Sequence, residues 1–233
     1  MDQLIAKKNS KTILFTPGPA SLSKANLVNL NPAFGRGDKS YLRTEKNVLS
    51  KIKKISGHSQ IVTTQGSGST VLEMVSLNFL RGRVLIISTG YYSDRLYNLA
   101  LFAKKTHKYI KKVDKINWRN LNKIKNKYDW IWACYTETSC GLKLSMNDLK
   151  KLSRKSKSKL AIDATASFGL EKDHKYADVV SFSSCKGLLG LTGAGFICYN
   201  LKPKNKVNSF VLNLNNAKEK KMTGPYHSIQ SLE

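Results

Sequence analysis

From residue 61 onward, short apolar runs alternate with longer stretches whose apolar residues recur every three or four positions. The short runs predict strands at 61–64, 83–88, 107–113, 130–135, 160–164, 179–183 and 195–199. Helical spacing predicts helices at 70–80, where Val71, Leu72, Met74, Val75 and Leu77 are apolar, and at 92–103, 118–127 and 146–155. Near-continuous apolar strands separated by helices belong to a sheet covered on both faces. The expected fold is α/β, a mostly parallel seven-stranded sheet flanked by helices. Before residue 48 the pattern is irregular. Pro17-Gly18-Pro19 forces a turn, and the segment to Asn47 suggests only short helices. The expected division is an N-terminal arm at 1–47, a large domain at 48–200 and a lysine- and asparagine-rich tail at 201–233.

Composition narrows the class. With 233 residues, 41% of them hydrophobic, the chain is globular and long enough to bury a core. No apolar run approaches the ~20 residues of a membrane span, and Met1-Asp2-Gln3-Leu4 begins no signal peptide. A cytoplasmic protein with no membrane partner is expected. Cys134, Cys140, Cys185 and Cys198 form no CxxC pair, so buried free thiols are expected and a metal site is not. Lys+Arg number 40 against 15 Asp+Glu, a formal charge of +25. A polyanion-binding surface is one reading of that excess. The lysines are dispersed through amphipathic stretches as solvated positions, however, so nucleic acid is not expected as a partner. Attraction of small anionic substrates survives either way.

Ligands of open α/β sheets bind beyond the carboxyl ends of the strands, and the chemically active residues concentrate there. Lys186 stands in Ser183-Ser184-Cys185-Lys186-Gly187, and Asp163 ends Leu160-Ala161-Ile162-Asp163. An amine and a carboxylate so placed suit pyridoxal phosphate: the lysine joins the aldehyde, and the carboxylate keeps the pyridine nitrogen protonated. A surface lysine and an ordinary strand-end aspartate would read the same. Thr64-Gln65-Gly66-Ser67-Gly68-Ser69-Thr70 opens a helix with glycines and hydroxyls that can hold a phosphate, or it is a plain strand–turn–helix joint. It is neither a dinucleotide fingerprint nor a P-loop. In Thr89-Gly90-Tyr91-Tyr92-Ser93-Asp94-Arg95 a tyrosine can stack on a flat ring or cap the core. In Tyr135-Thr136-Glu137-Thr138-Ser139-Cys140-Gly141 a hydroxyl at Thr138 or Ser139 can reach a ring oxygen, or simply form a helix N-cap or a turn. Glu137, if buried there, needs a partner.

Taken in order, these segments resemble the class V aminotransferases, fold type I of the pyridoxal phosphate enzymes. Phe15-Thr16-Pro17-Gly18-Pro19, Ile162-Asp163-Ala164-Thr165-Ala166-Ser167-Phe168-Gly169 and Gly193-Ala194-Gly195-Phe196 extend the likeness over roughly 13–200. The stretch from Asp163 to Gly169, with Gln65-Gly66-Ser67-Gly68 upstream, favours the 2-aminoethylphosphonate–pyruvate branch over alanine–glyoxylate or serine–pyruvate relatives. The resemblance implies a pyridoxal phosphate-dependent transferase-like large domain. It also implies transfer of an amino group from 2-aminoethylphosphonate to pyruvate. Other class V transaminations, or cofactor binding without turnover, are the alternatives. By resemblance, Lys186 is the cofactor-bound lysine and the catalytic base. Asp163 pairs with the pyridinium, Tyr92 stacks on the ring, and Ser67, Gly68 and Ser69 hold the phosphate. Thr138 bonds near the ring oxygen, with Ser139 as its substitute. Partners are a small amino donor, a 2-oxo acid and a second copy in a homodimer, whose neighbouring phosphate Thr223 or Tyr226 would reach. Family members continue into a smaller C-terminal domain that brings the arginine clamping the substrate carboxylate. Residues 1–233 are expected to stop short of it, and none of the remaining Arg36, Arg43 and Arg95 can be assigned that clamp from the sequence.

Overall fold

The computed structural model describes residues 16–233 except 21, 23, 24, 29, 32, 34, 36 and 125. Strands β1 (Gln60–Gln65), β2 (Gly82–Ser88), β3 (Ile110–Asn117), β4 (Trp130–Cys134), β7 (Lys159–Asp163), β8 (Val179–Ser183) and β9 (Ala194–Tyr199) form one sheet. Their spatial order is β1-β9-β8-β7-β4-β2-β3. β2, β3, β4, β7 and β8 are mutually parallel, and β9 runs antiparallel to both β8 and β1. A separate hairpin joins β5 (Thr136–Glu137) to β6 (Leu142–Lys143). The helices are α1 (Ala25–Val28), α2 (Lys39–Ser56), α3 (Gly68–Asn78), α4 (Tyr91–Thr106), α5 (Met146–Ser156), α6 (Leu214–Lys218) and α7 (Tyr226–Gln230). This is the mostly parallel seven-stranded sheet that the apolar runs predict.

Alternation along each strand sends side chains to opposite faces, and each face meets its own helices. Val84, Ile86, Trp132 and Ala161 pack against Val71 and Val75 of α3 and Leu96 and Ala100 of α4. Leu85, Ile87, Ile131, Ile162 and Phe182 pack on the other side against Val48 and Ile52 of α2 and Leu149 of α5. Phe168, Phe182 and Phe196 stack in series there, with centroids 3.6 and 4.9 Å apart. Each such buried chain contributes about 1.5–3 kcal/mol relative to exposure. The tail reaches both faces. Val207, Leu214 and Ala217 join the first core, and Ile229 joins the second.

Three elements differ from their sequence expectation. β3 lies at Ile110–Asn117 rather than 107–113. It is an edge strand whose exposed Lys111, Lys112 and Lys115 dilute the apolar signal, as edge strands guarded by charge do. The helix expected at 118–127 is a short 3₁₀ turn, Trp118–Lys123, capped by Asn117 and interrupted by non-helical Asn120. The segment before Asn47 holds much of an 18-residue helix, α2, which runs through to Ser56. Asp38 caps it by accepting from Ser40 N at 2.9 Å, and Gly57 ends it in the left-handed conformation at φ 71°. Its buried stripe of Tyr41, Glu45, Val48 and Ile52 is narrow and set among lysines, so it reads weakly. Among the described residues, no helix is long and apolar enough to cross a membrane.

Candidate functional site

Parallel strands align their carboxyl ends, so the segments that follow them converge. Cys134 at the end of β4 pairs with Asp163 at the end of β7, and Asp163 pairs with Ser181 two residues before β8 ends. Beyond these ends lies a cavity of about 220 Å³ lined by Ser67, Gly68, Ser69, Tyr92, Thr138, Asp163 and Lys186. Thr223 is elsewhere. It lines a second cavity of about 250 Å³ with Tyr41, Glu45, Thr64, Lys220 and Tyr226. The larger cavity is therefore not the one that gathers the expected chemistry. Arg43 is exposed on α2, and Arg36 and Phe15 fall outside the described residues.

Lys186 sits in the turn after β8, held by Leu189 N donating to Lys186 O at 2.9 Å and Gly190 N to Ser184 O at 3.0 Å. The N-terminal segment closes over it, with Ala20 N donating to Cys185 O at 2.8 Å. Gly18 has φ +142°, and a Cβ there would stand 2.9 Å from Lys186 Cγ. Only glycine meets both the conformation and the approach.

Asp163 is 5% exposed, and its Oδ1 accepts from Thr165 N at 2.8 Å. Burial pushes its carboxyl up, against the hydrogen bonding of Thr165 and the charges of Arg95 and Lys186. No cation among the described residues pairs with it, although a buried carboxylate calls for one. The cationic ring nitrogen of pyridoxal phosphate has the sign this position lacks, and the hydroxyl-lined turn at Ser67–Ser69 suits its phosphate. On these grounds the cavity fits the cofactor.

Glu137 is fully buried and has found its partners. Its Oε1 accepts from Tyr92 N at 3.2 Å and Ser139 Oγ at 2.5 Å; its Oε2 accepts from Ser93 N at 2.9 Å and Thr89 Oγ1 at 3.2 Å. Burial would raise this carboxyl, but the Ser139 hydroxyl and the N–H groups of Ser93 and Tyr92 hold it below the usual glutamate range. It anchors the first turn of α4, where the helix dipole favours an anion. Ser139 also accepts from Tyr91 N at 3.1 Å, so its hydroxyl is engaged away from the cavity, which Thr138 lines.

The cavity contains residues that sequence reasoning left without a role. Arg95 lines it, with Nη1 donating to Ser69 Oγ at 3.0 Å and the guanidinium 5.1 Å from the Tyr92 ring. Its signal was available, since it follows Tyr92 by three residues on one helix and so shares its face. Cys134, Thr165 and Cys185 line the cavity as well. All four thiols are free; Cys134 and Cys198 are buried as expected of strand positions, whereas Cys185 is half-buried and Cys140 is exposed. Among the described residues, no three His, Cys, Asp or Glu side chains cluster to hold a metal.

The family model for class V aminotransferases matches residues 23–224. A bifunctional phosphonoacetaldehyde hydrolase/aminoethylphosphonate transaminase of Clostridioides difficile is 26% identical, over 87% of this chain and 34% of its own length. A 2-aminoethylphosphonate–pyruvate transaminase of Rhizobium meliloti is 30% identical, over 79% of this chain and 52% of its own. The chain thus spans about a third to a half of these relatives. The solved aspartate aminotransferase of Thermus thermophilus superposes with a TM-score of 0.83 at 18% identity, covering 95% of this chain and 68% of the other. That likeness is one of fold.

Proposed function

This chain belongs to the class V aminotransferase family, and from that premise we propose that it binds pyridoxal 5′-phosphate and moves the amino group of 2-aminoethylphosphonate to pyruvate. The products are phosphonoacetaldehyde and alanine. The supporting observation is convergence: Lys186, Asp163, Tyr92, Thr138 and the Ser67–Ser69 turn come from five separate strand ends and line one cavity. The substrate assignment rests on the relatives named above.

In this reading Lys186 holds the cofactor covalently, Asp163 faces the ring nitrogen, Tyr92 covers the ring and Thr138 meets the ring oxygen. Ser67, Gly68 and Ser69 bind the phosphate. When bound, the cofactor supplies an electron sink that lets a proton leave the carbon bearing the amino group. Once the amino donor displaced Lys186 from the cofactor, the freed Nζ would take that proton and, in the reverse half, return one to the acceptor carbon. Asp163 is kept from water, and the positive ring nitrogen of a bound cofactor would offset the burial that pushes its carboxyl up.

The first test is the visible spectrum of the purified protein with and without borohydride, followed by peptide mapping. A reduced adduct on Lys186, lost in Lys186→Ala, is expected; an adduct on another lysine refutes the assignment. Adding the aminophosphonate alone should then bleach the yellow band as the cofactor takes up the amino group. A band that persists would favour a cofactor-binding protein without turnover, and bleaching by alanine or serine in its place would favour another class V transaminase. The same proposal includes a homodimer in which Thr223 serves the neighbour's phosphate site. It is supported by Phe210 and Val211, 60% and 52% exposed, of which Val211 lines the Thr223 cavity. A well-folded monomer by light scattering at micromolar concentration would refute it.

A further inference from the structure

Arg95 is the one arginine among the described residues that lines the Lys186 cavity, and the family resemblance gives it no task. No carboxylate among the described residues lies within ion-pair distance of it, whereas Arg83 has Asp114 at 3.9 Å. A guanidinium carries five N–H donors in a rigid fork. The structure places one of them on Ser69 Oγ at 3.0 Å. Ser69 lies in the first turn of α3, beside Ser67 and Gly68, in the turn to which the cofactor phosphate is assigned. The fork is also held in place. The Tyr92 and Tyr91 rings lie 5.1 and 5.6 Å from its carbon, and Glu137 anchors the helix that carries it. A half-buried, preoriented cation without an anion, bonded to an anion-binding turn, is arranged for a phosphate dianion.

We propose that Arg95 is the phosphate-binding arginine of this cavity and makes it select phosphorylated over unphosphorylated pyridoxal. This rests on the reading that the cavity holds pyridoxal phosphate. The competing role is a purely structural clasp between α3 and α4 through Ser69 and the two tyrosines. Phosphate selectivity separates the two, because a clasp acts on both forms of the cofactor alike.

The experiment compares wild type with Arg95→Gln in absorbance titrations with pyridoxal phosphate and with pyridoxal, and in thermal unfolding with inorganic phosphate. Loss of charge-assisted hydrogen bonds should weaken pyridoxal phosphate by about 10- to 100-fold while pyridoxal changes by less than about twofold. Phosphate should raise the wild-type unfolding temperature and leave that of the variant unmoved. Equal weakening of both cofactors, or unchanged affinity for pyridoxal phosphate, overturns the proposal. Should Arg95→Gln not fold, Arg95→Lys keeps the charge and loses the fork. It should weaken pyridoxal phosphate alone, and parallel losses again overturn the proposal. The phosphate arm keeps the two readings apart. If wild type takes up no pyridoxal phosphate but phosphate still stabilises it through Arg95, the cofactor reading and the selectivity fail together, and only the phosphate-binding role of the arginine stands.

Discussion

Two neighbouring strand ends carry two buried carboxylates with opposite fates. Glu137, just past β4, accepts from backbone and hydroxyl donors of Thr89, Tyr92, Ser93 and Ser139, and its carboxyl is held below the usual range. Asp163, at the end of β7, accepts from Thr165 N, faces a cavity, and is pushed up by burial. Burial alone thus does not mark a functional acid. What separates them is their hydrogen bonding: Glu137 accepts from four residues around α4's first turn, whereas Asp163 accepts from Thr165 and lines the cavity.

The largest effect expected on this contrast is on chemistry. Asp163→Ala should retain an adduct on Lys186 but abolish bleaching by the amino donor, while Glu137→Gln should retain both. Normal transamination by Asp163→Ala would break the ring-nitrogen assignment. Next in size is stability. Glu137→Ala leaves five buried or part-buried donors of Thr89, Tyr92, Ser93 and Ser139 unmatched and should destabilise the protein by about 3 kcal/mol in urea unfolding. Asp163→Asn, which removes an unpaired buried charge, should leave the cofactor-free protein as stable or about 1 kcal/mol more stable. Equal losses from both would erase the distinction.

Acid titration sharpens the comparison further. A depressed carboxyl contributes stability above its unfolded pKa and loses it as pH falls through the folded value, so Glu137→Gln should flatten the acid limb. A raised carboxyl works the other way, favouring the fold at low pH and losing that contribution as pH rises through the folded value. Wild type and Asp163→Asn should therefore converge in acid and separate towards neutrality. The smallest effect concerns adjacent hydroxyls. Thr138→Val should shift the bound cofactor's absorbance with little change in stability, and Ser139→Ala should cost about 1 kcal/mol of stability with an unshifted band.

Much of the architecture was legible locally. β2, β4, β7 and β9 are apolar runs with at most polar ends, β8 adds only Ser181 within its run, and α3, α4 and α5 keep their helical spacing, so each fell within a few residues of its expected place. The elements that moved depend on remote contacts. α2 has a narrow apolar stripe that pays off only against the sheet and α7, and β3 is recognisable by pairing with β2 rather than by its lysine-rich sequence.

By itself, the amino-acid sequence determined the order of strands and helices and put an amine, an acid, an aromatic and a glycine–serine turn just after strand ends. Those are properties of short windows, set by side-chain periodicity and turn chemistry. Only the tertiary structure decided that Thr138 rather than Ser139 lines the cavity, that Glu137 gathers donors from four residues while Asp163 accepts from Thr165 and lines the cavity, and that Arg95 meets Ser69. Each of these depends on which hydrogen-bonding groups from distant segments arrive within 3 Å or so, and no single segment contains that information.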